Sequence, residues 1–421
     1  MTLTNAATNK ITAATIDDAA ARVGGVVRTT PLEPNDRLSG RTGAHVWLKR
    51  EDLQPVRSYK IRGAYNFIAQ LDDDERAAGV IAASAGNHGQ GVALACAQLG
   101  IRGQIYVPGT TPRQKRDRMR HLGGDFVELV VVGNTYDDAA TAAKEAAARS
   151  GATIVSAFDD ARTIAGQGTV AHEIVEQLGF APDTLLVPVG GGGLLAGCLT
   201  WLGERYPSTR VIGVEPAGAA CLAAALQSGG PRQLPNIDTF VDGAAVSRAG
   251  DLTYAVAALH RPQLYAVPEG RICSEMLDLY QSDGIIAEPA GALASSVLGQ
   301  YTPAAGEKVV AIVSGGNNDV SRYAEIVERS LVFEGRKHYF LVNFPQEPGA
   351  LRRFLDEVLG PDDDITRFEY VKRSNRELGP ALVGIEIGQP SDYPYLLARL
   401  NASPINVEVV SPDSPFYRFL V

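Results

Sequence analysis

The sequence predicts an α/β fold with doubly wound, mostly parallel sheets, followed by a smaller α+β unit of ferredoxin-like order. Three observations carry this. Apolar runs of four to six residues recur without polar alternation, as expected of strands buried on both faces of a parallel sheet. Helical stretches alternate with them at a spacing that implies right-handed βαβ crossovers. After about residue 334 the order becomes β-α-β-β-α-β over about 85 residues.

Residues 16–27 read as an amphipathic helix, with Asp17 and Asp18 in the first turn where the helix dipole favours negative charge. Residues 31–32 open an extended lead-in. Strands are expected at 45–49, 79–83, 103–107, 126–132, 153–157, 185–189, 211–215 and 309–314. Helices are expected at 87–99, 112–122, 136–149 and 163–178, and from Gly193 to about Leu202. Pro112 suits a first helical position, and Gly100, Gly123 and Gly151 suit helix ends. The stretch Ser58-Tyr59-Lys60-Ile61-Arg62-Gly63-Ala64 reads as a loop. Beyond the polar break at 334–337, strands are expected at 338–344, 365–371, 381–387 and 406–410, with helices at 350–359 and 393–400. The organisation is a flexible N-terminus at 1–15, a body at 16–333 with a smaller subdomain at about 60–165, and a last unit at 334–421.

A net charge of -9, spread along 421 residues, argues against a nucleic-acid footprint, which needs a basic face. Cys96, Cys198, Cys221 and Cys273 lie far apart in apolar surroundings and match neither a zinc spacing nor a disulfide framework. The first 15 residues lack the apolar core of a signal peptide, and no run approaches the ~18 apolar residues of a membrane span. The expected home is the cytoplasm.

Ligands of doubly wound sheets bind beyond the carboxyl ends of the strands, and three turns lie there. Gly190, Gly191, Gly192 and Gly193 follow one strand and open a helix. Their bare N–H groups and the helix dipole suit a phosphate; four glycines in a row cost too much chain entropy for an idle turn. The run lacks the Gly-x-Gly-x-x-Gly order and a following Lys-Ser/Thr, so no dinucleotide or nucleoside triphosphate is indicated. The turn Ser84-Ala85-Gly86-Asn87-His88 can hold a substrate carboxylate, with Asn87 reaching a ring substituent; the bland alternative is an Asn cap on the next helix. His88 by itself suits a structural hydrogen bond better than a base. Ser314-Gly315-Gly316-Asn317-Asn318 offers a hydroxyl to a pyridine nitrogen. A neutral partner there weakens the electron sink and favours β-elimination. Glu288 before Pro289-Ala290-Gly291 is either an active-site carboxylate or a solvated loop residue. Lys60 alone reads as a surface charge. It becomes a covalent catalyst only if its amine, with a free pKa of about 10.4, is masked by an aldehyde, and pyridoxal phosphate is the common one.

Ser-Tyr-Lys-Ile-Arg-Gly-Ala, Ser-Ala-Gly-Asn-His-Gly-Gln-Gly, Pro-Val-Gly-Gly-Gly-Gly-Leu, Glu-Pro-Ala-Gly-Ala and Ser-Gly-Gly-Asn-Asn occur here in the order found in biosynthetic threonine dehydratases (threonine deaminases). The chain resembles that family over about 28–330. The family belongs to the fold type II pyridoxal phosphate enzymes, with the tryptophan synthase β-subunit. The last unit resembles one of the family's ACT-like regulatory modules.

The resemblance implies pyridoxal 5'-phosphate as cofactor and Lys60 as the Schiff-base lysine and general base. It places the cofactor phosphate on Gly190 to Gly193, its ring 3′-oxygen at Asn87 and its ring nitrogen at Ser314. The substrate carboxylate falls to the turn from Ser84 to His88. It implies deamination of L-threonine to 2-oxobutanoate, a homotetramer, and inhibition by isoleucine near 343–351, and leaves open whether valine opposes isoleucine. Serine racemases of the family carry a second Ser where this chain has Ala85, so the opposite ring face lacks its proton donor. Divalent-cation-dependent relatives have a carboxylate six residues after a strand-end Glu. Here Glu215 is followed by Cys221, which leaves Glu215 as a candidate for a weak monovalent-cation site only. The rival readings are a serine dehydratase, threonine synthase or serine racemase on the same scaffold, or a non-catalytic amino-acid sensor.

Overall fold

The computed structural model describes residues 11–370, 377–411, 414, 417 and 420. Its chain divides into two compact units, Met1–Glu269 with Asp278–Asn318, and Gly270–Leu277 with Asp319–Val421.

The first unit holds two sheets. The larger runs in the order Leu32–Pro34, His45–Arg50, Lys308–Val313, Thr184–Pro188, Arg210–Pro216, Gln263–Val267. All its pairings are parallel except the first. Val127–Val131, Gly103–Val107, Val80–Ala83 and Thr153–Ile154 form the smaller, wholly parallel sheet. Thr184–Pro188 is buried at every residue, and Lys308–Val313 at all but the first. Their unbroken apolar runs reflect burial on both faces. Among the described residues no helix is long and apolar enough to cross a membrane.

Helix Asn87–Leu99 follows the sequence expectation, ended by Gly100 in the left-handed conformation (φ 66°). Other expectations shift. The first helix is Ala13–Val23, capped by Thr12 and stopped by Gly24 rather than continuing to 27. Of the stretch expected to be flexible, residues 1–10 lie outside the described set, but Ile11 and Ala13 are buried and 13–15 are helical. Only Thr153–Ile154 of the expected 153–157 strand is paired; the following residues turn their carbonyls to other partners. The Lys60 segment is not a loop. Lys60 opens helix Lys60–Ile68, packed so closely on helix Ala161–Leu178 that a Cβ on Gly63 would lie 2.3 Å from Gln167 Nε2.

A buried ionic quartet ties that helix down. The Arg62 guanidinium grips Glu51 with two hydrogen bonds (2.8 and 2.7 Å) and Glu173 with a third (2.9 Å). Lys49 Nζ donates to Glu173 (2.5 Å), Gln177 (2.7 Å) and the Thr30 carbonyl (2.8 Å). Lys49, Glu51 and Arg62 are 0%, 0% and 1% exposed. Burial alone would raise the Glu51 pKa; Arg62 and Lys49 nonetheless hold it below the usual carboxylate range.

The second unit carries an antiparallel sheet in the order Asp364–Tyr370, Leu378–Glu386, Lys337–Pro345, Asn406–Val409, with helices Ala350–Val358 and Tyr393–Ala402 between strands. This is the ferredoxin-like order. Helix Tyr323–Phe333, upstream of the composition break at 334, groups with this unit. Of the expected strand 365–371, residue 371 lies outside the described set.

Replacing Arg62 by Met takes the guanidinium from the buried Glu51 carboxylate and from the partly exposed Glu173, so Arg62→Met should lower unfolding free energy by about 3–5 kcal/mol. Urea unfolding followed by circular dichroism measures this; a loss below about 1 kcal/mol contradicts the account.

Candidate active site

Three turns leave the carboxyl ends of buried strands and meet around Lys60. The Ser314 turn reaches it through the backbone. The Tyr59 N–H donates to the Ser314 carbonyl (3.1 Å), Ser58 bridges to Gly315, and the Gly316 N–H donates to the Arg57 carbonyl (2.9 Å). Lys60 Nζ lies 3.5 Å from the Ala157 carbonyl oxygen and 5.1 Å from the Tyr59 ring centroid.

Helix Asn87–Leu99 lies against Lys60: a Cβ on Gly91 would sit 3.2 Å from the Lys60 carbonyl carbon. His88, one turn earlier on the same helix, is 4% exposed, and its Nε2 bonds the Val155 carbonyl (2.9 Å). Burial first, and then the nearby Lys60 charge, push the imidazole down to about 4, so it is neutral beside the lysine.

Gly190 to Gly193 are packed without room for side chains. A Cβ on Gly191 would be 2.3 Å from the Phe158 ring, one on Gly190 2.9 Å from Ala244 Cα, and Gly192 has φ 93°. The loop's carbonyls face away: that of Gly191 accepts from Thr253 Oγ1 (2.7 Å) and that of Gly190 from Cys221 Sγ (3.4 Å). Its four N–H groups find no acceptor among the described residues. The N–H groups of Ala85, Asn87 and His88 are likewise uncommitted among them, while that of Gly86 turns to Ser84 Oγ (3.3 Å). Two cradles of free donors, one opening a 13-residue helix at Gly193, fit a phosphate and a carboxylate.

Asn87 is not a cap. Gly86 holds the cap position, and the Asn87 amide instead donates to Glu288 Oε1 (2.5 Å) and accepts from Asn317 Nδ2 (2.7 Å). Glu288 is buried at the start of helix Pro289–Ser296 rather than solvated in a loop. Burial, then the Asp242 charge, raise it to about 7. Ser314 Oγ donates its single hydrogen to the Ala290 carbonyl (3.0 Å), so a ring nitrogen there competes for that hydrogen. Glu215 stands apart. Its carboxylate accepts the Leu222 and Ala223 N–H groups (2.7 and 2.9 Å) at the start of helix Cys221–Ser228, and burial raises it to about 7. Among the described residues no group of three or more His, Cys, Asp or Glu side chains is placed to hold a metal.

Sequence reasoning missed Asn317, Phe158 and the carbonyls of Val155 and Ala157. Asn317 lay in a quoted motif, but its partner Asn87 is 230 positions away. The carbonyls carry no residue signature.

An amine beside two cradles of free N–H donors, with the Asn87 amide and the Ser314 hydroxyl near it, suits a phosphorylated aldehyde cofactor. The family model described as "Pyridoxal-phosphate dependent enzyme" matches residues 23–315, and that of the "C-terminal regulatory domain of Threonine dehydratase" matches 328–420. The chain is 61% identical over 413 residues to a biosynthetic L-threonine dehydratase of Mycobacterium tuberculosis, covering 98% of this chain and 96% of the relative. It is 56% identical over 415 residues to that of Corynebacterium glutamicum, covering 97% and 95%. The solved structure of processed threonine deaminase isoform 2 from Solanum lycopersicum superposes with a TM-score of 0.72 at 40% identity, covering 75% of this chain and 92% of that one. The chain therefore belongs to the pyridoxal-phosphate-dependent enzymes, and within them to the threonine dehydratase family with a C-terminal regulatory domain.

The unfolded His88 takes up its proton near pH 6.5, the folded one only near 4. Stability from this residue is therefore present above pH 6.5 and lost as pH falls toward 4, by about 3 kcal/mol at most. Glu215 and Glu288, raised to about 7, work in the opposite direction. The test is thus a difference: His88→Gln should lose less stability than wild type between pH 7 and pH 4.5 in urea titrations. Equal losses contradict it.

Proposed function

We propose that this chain converts L-threonine to 2-oxobutanoate and ammonia, the entry reaction to isoleucine: water leaves in the elimination and is taken up again as the resulting imine is hydrolysed. The observation that carries this reading is the Lys60 amine held where three donor-bearing strand-end turns meet. The near-full-length likeness to biosynthetic L-threonine dehydratases names the substrate. Pyridoxal phosphate, when bound, supplies an aldehyde for the substrate amine and a ring that takes up the electrons released at the α-carbon. Gly190, Gly191, Gly192 and Gly193 hold its phosphate, Asn87 its ring oxygen and Ser314 its ring nitrogen. The turn Ser84, Ala85, Gly86, Asn87 and His88 holds the substrate carboxylate, and Glu288 lines the site behind Asn87. The Lys60 amine takes the α-proton. Neutral His88 adds no like charge beside it, and Ala85 offers no hydroxyl to return a proton to the α-carbon from the opposite face, so reprotonation there does not compete as the β-hydroxyl takes up a proton and leaves as water.

Regulation falls to the second unit. Its sheet and helix Ala350–Val358 form an open groove of about 430 Å³ lined by Phe344, Pro345, Ala350, Leu351, Phe368 and Tyr370, with Glu347 and Arg352 at its wall. An apolar cradle with one acidic and one basic side chain suits a free branched-chain amino acid. We assign it to isoleucine, in a cytoplasmic homotetramer. Differential binding of ~1–3 kcal/mol between two states gives a 5–150-fold effect.

The test follows 2-oxo acid formation from L-threonine and L-serine, with and without isoleucine. Threonine should be turned over, serine should trail by about fivefold for one methyl, and isoleucine should inhibit. Lys60→Ala should lose about a thousandfold. No 2-oxo acid from threonine contradicts the catalytic reading; indifference to isoleucine contradicts only the regulatory one.

A further inference from the structure

An asparagine amide is useful to a ligand only if its nitrogen and oxygen face the right way, and here the orientation of Asn87 is dictated by a chain of contacts that starts at a backbone atom. The Val56 carbonyl can only accept, so the Asn317 side-chain atom 2.8 Å from it is Nδ2. That nitrogen directs its second hydrogen to the Asn87 atom 2.7 Å away, which is therefore Oδ1. The other end of the amide, Nδ2, then faces Glu288 Oε1 at 2.5 Å. The reversed amide would set oxygen against oxygen at Glu288 and N–H against N–H at Asn317, leaving buried groups unpaired.

Glu288 is itself held in place. It accepts the Asn87 amide, and its own backbone N–H donates to the Gly315 carbonyl (3.1 Å). A Cβ on Gly315 would lie 2.2 Å from Glu288 Oε1, and one on Gly243 3.3 Å from it. The charged groups around Glu288 are Asp242 and Lys115, which pair with each other at 2.8 Å. A carboxyl keeps an acceptor oxygen whether ionised or protonated, so the lock does not depend on its charge. One Asn87 N–H remains without a partner among the described residues.

We propose that Glu288 and Asn317 are positioning residues that fix the Asn87 amide so that its free N–H points to the ring oxygen of the cofactor. This rests on the assignment of Asn87 to that oxygen. Neither residue need touch the reacting atoms; both act through Asn87.

The test measures pyridoxal phosphate affinity of the apoprotein by absorbance titration, together with the position of the visible band of the bound cofactor. Asn317→Asp replaces the donor by acceptors at both contacts, and Glu288→Ala removes the acceptor; each should weaken affinity about tenfold and move the band. Glu288→Gln keeps an acceptor and should stay within about threefold of wild type, with an unmoved band. In the Asn87→Ala background, Glu288→Ala should have no further effect, since its partner is gone. Unchanged affinity and band in folded Glu288→Ala, or full additivity with Asn87→Ala, overturns the proposal while leaving the Asn87 assignment intact. If Asn87→Ala itself changes neither affinity nor band, the assignment fails first.

Discussion

Two cations and two carboxylates, all but Glu173 shut away from water, hold the reactive lysine in place. Lys49, Glu51, Arg62 and Glu173 sum to zero charge, and each finds its partners within hydrogen-bonding distance. Such a set is costly to bury and yields little net stability against an apolar alternative, but removing one member leaves a partner's charge uncompensated. It joins the end of strand His45–Arg50 to helices Lys60–Ile68 and Ala161–Leu178. Arg62 sits two residues beyond Lys60, so the quartet sets where that helix starts. The close crossing at Gly63 and Gly166, where a Cβ on Gly166 would lie 2.5 Å from the Arg62 carbonyl oxygen, removes the remaining freedom.

With Lys60 fixed, the parallel sheets do the rest. Chain order brings Ala83, Pro188 and Val313 to strand carboxyl ends; the turns after the first two carry uncommitted donors, and the turn after Val313 is bonded to the Lys60 segment. The span after Thr153–Ile154 links these parts. Val155 holds His88, Ala157 receives the Lys60 amine, Phe158 supports the glycine loop, and Asp159 accepts the N–H groups of Asp251 and Leu252.

Much of this was legible in the sequence because the chemistry needs residues of restricted type. Four adjacent glycines have few other uses, and the buried parallel strands announce themselves as unbroken apolar runs. The ferredoxin-like order was readable from helix and strand periods. Helix Lys60–Ile68 was hidden because Gly63 in its interior argues against a helix, and only packing on Gln167 reveals why it is there. Strand Gln263–Val267 was hidden because an edge strand is only partly buried and mixes polar with apolar residues. The orientation of Asn87 depends on Val56, Asn317 and Glu288, contacts that only the folded chain brings together.

The central claim is that Lys60 is the amine that takes up the cofactor's aldehyde. Borohydride reduction of the holoenzyme, followed by proteolysis and mass spectrometry, tests it most directly. The account predicts a single pyridoxyl-phosphate mass addition on the peptide that carries Lys60. The same addition on another lysine of an active enzyme would contradict it.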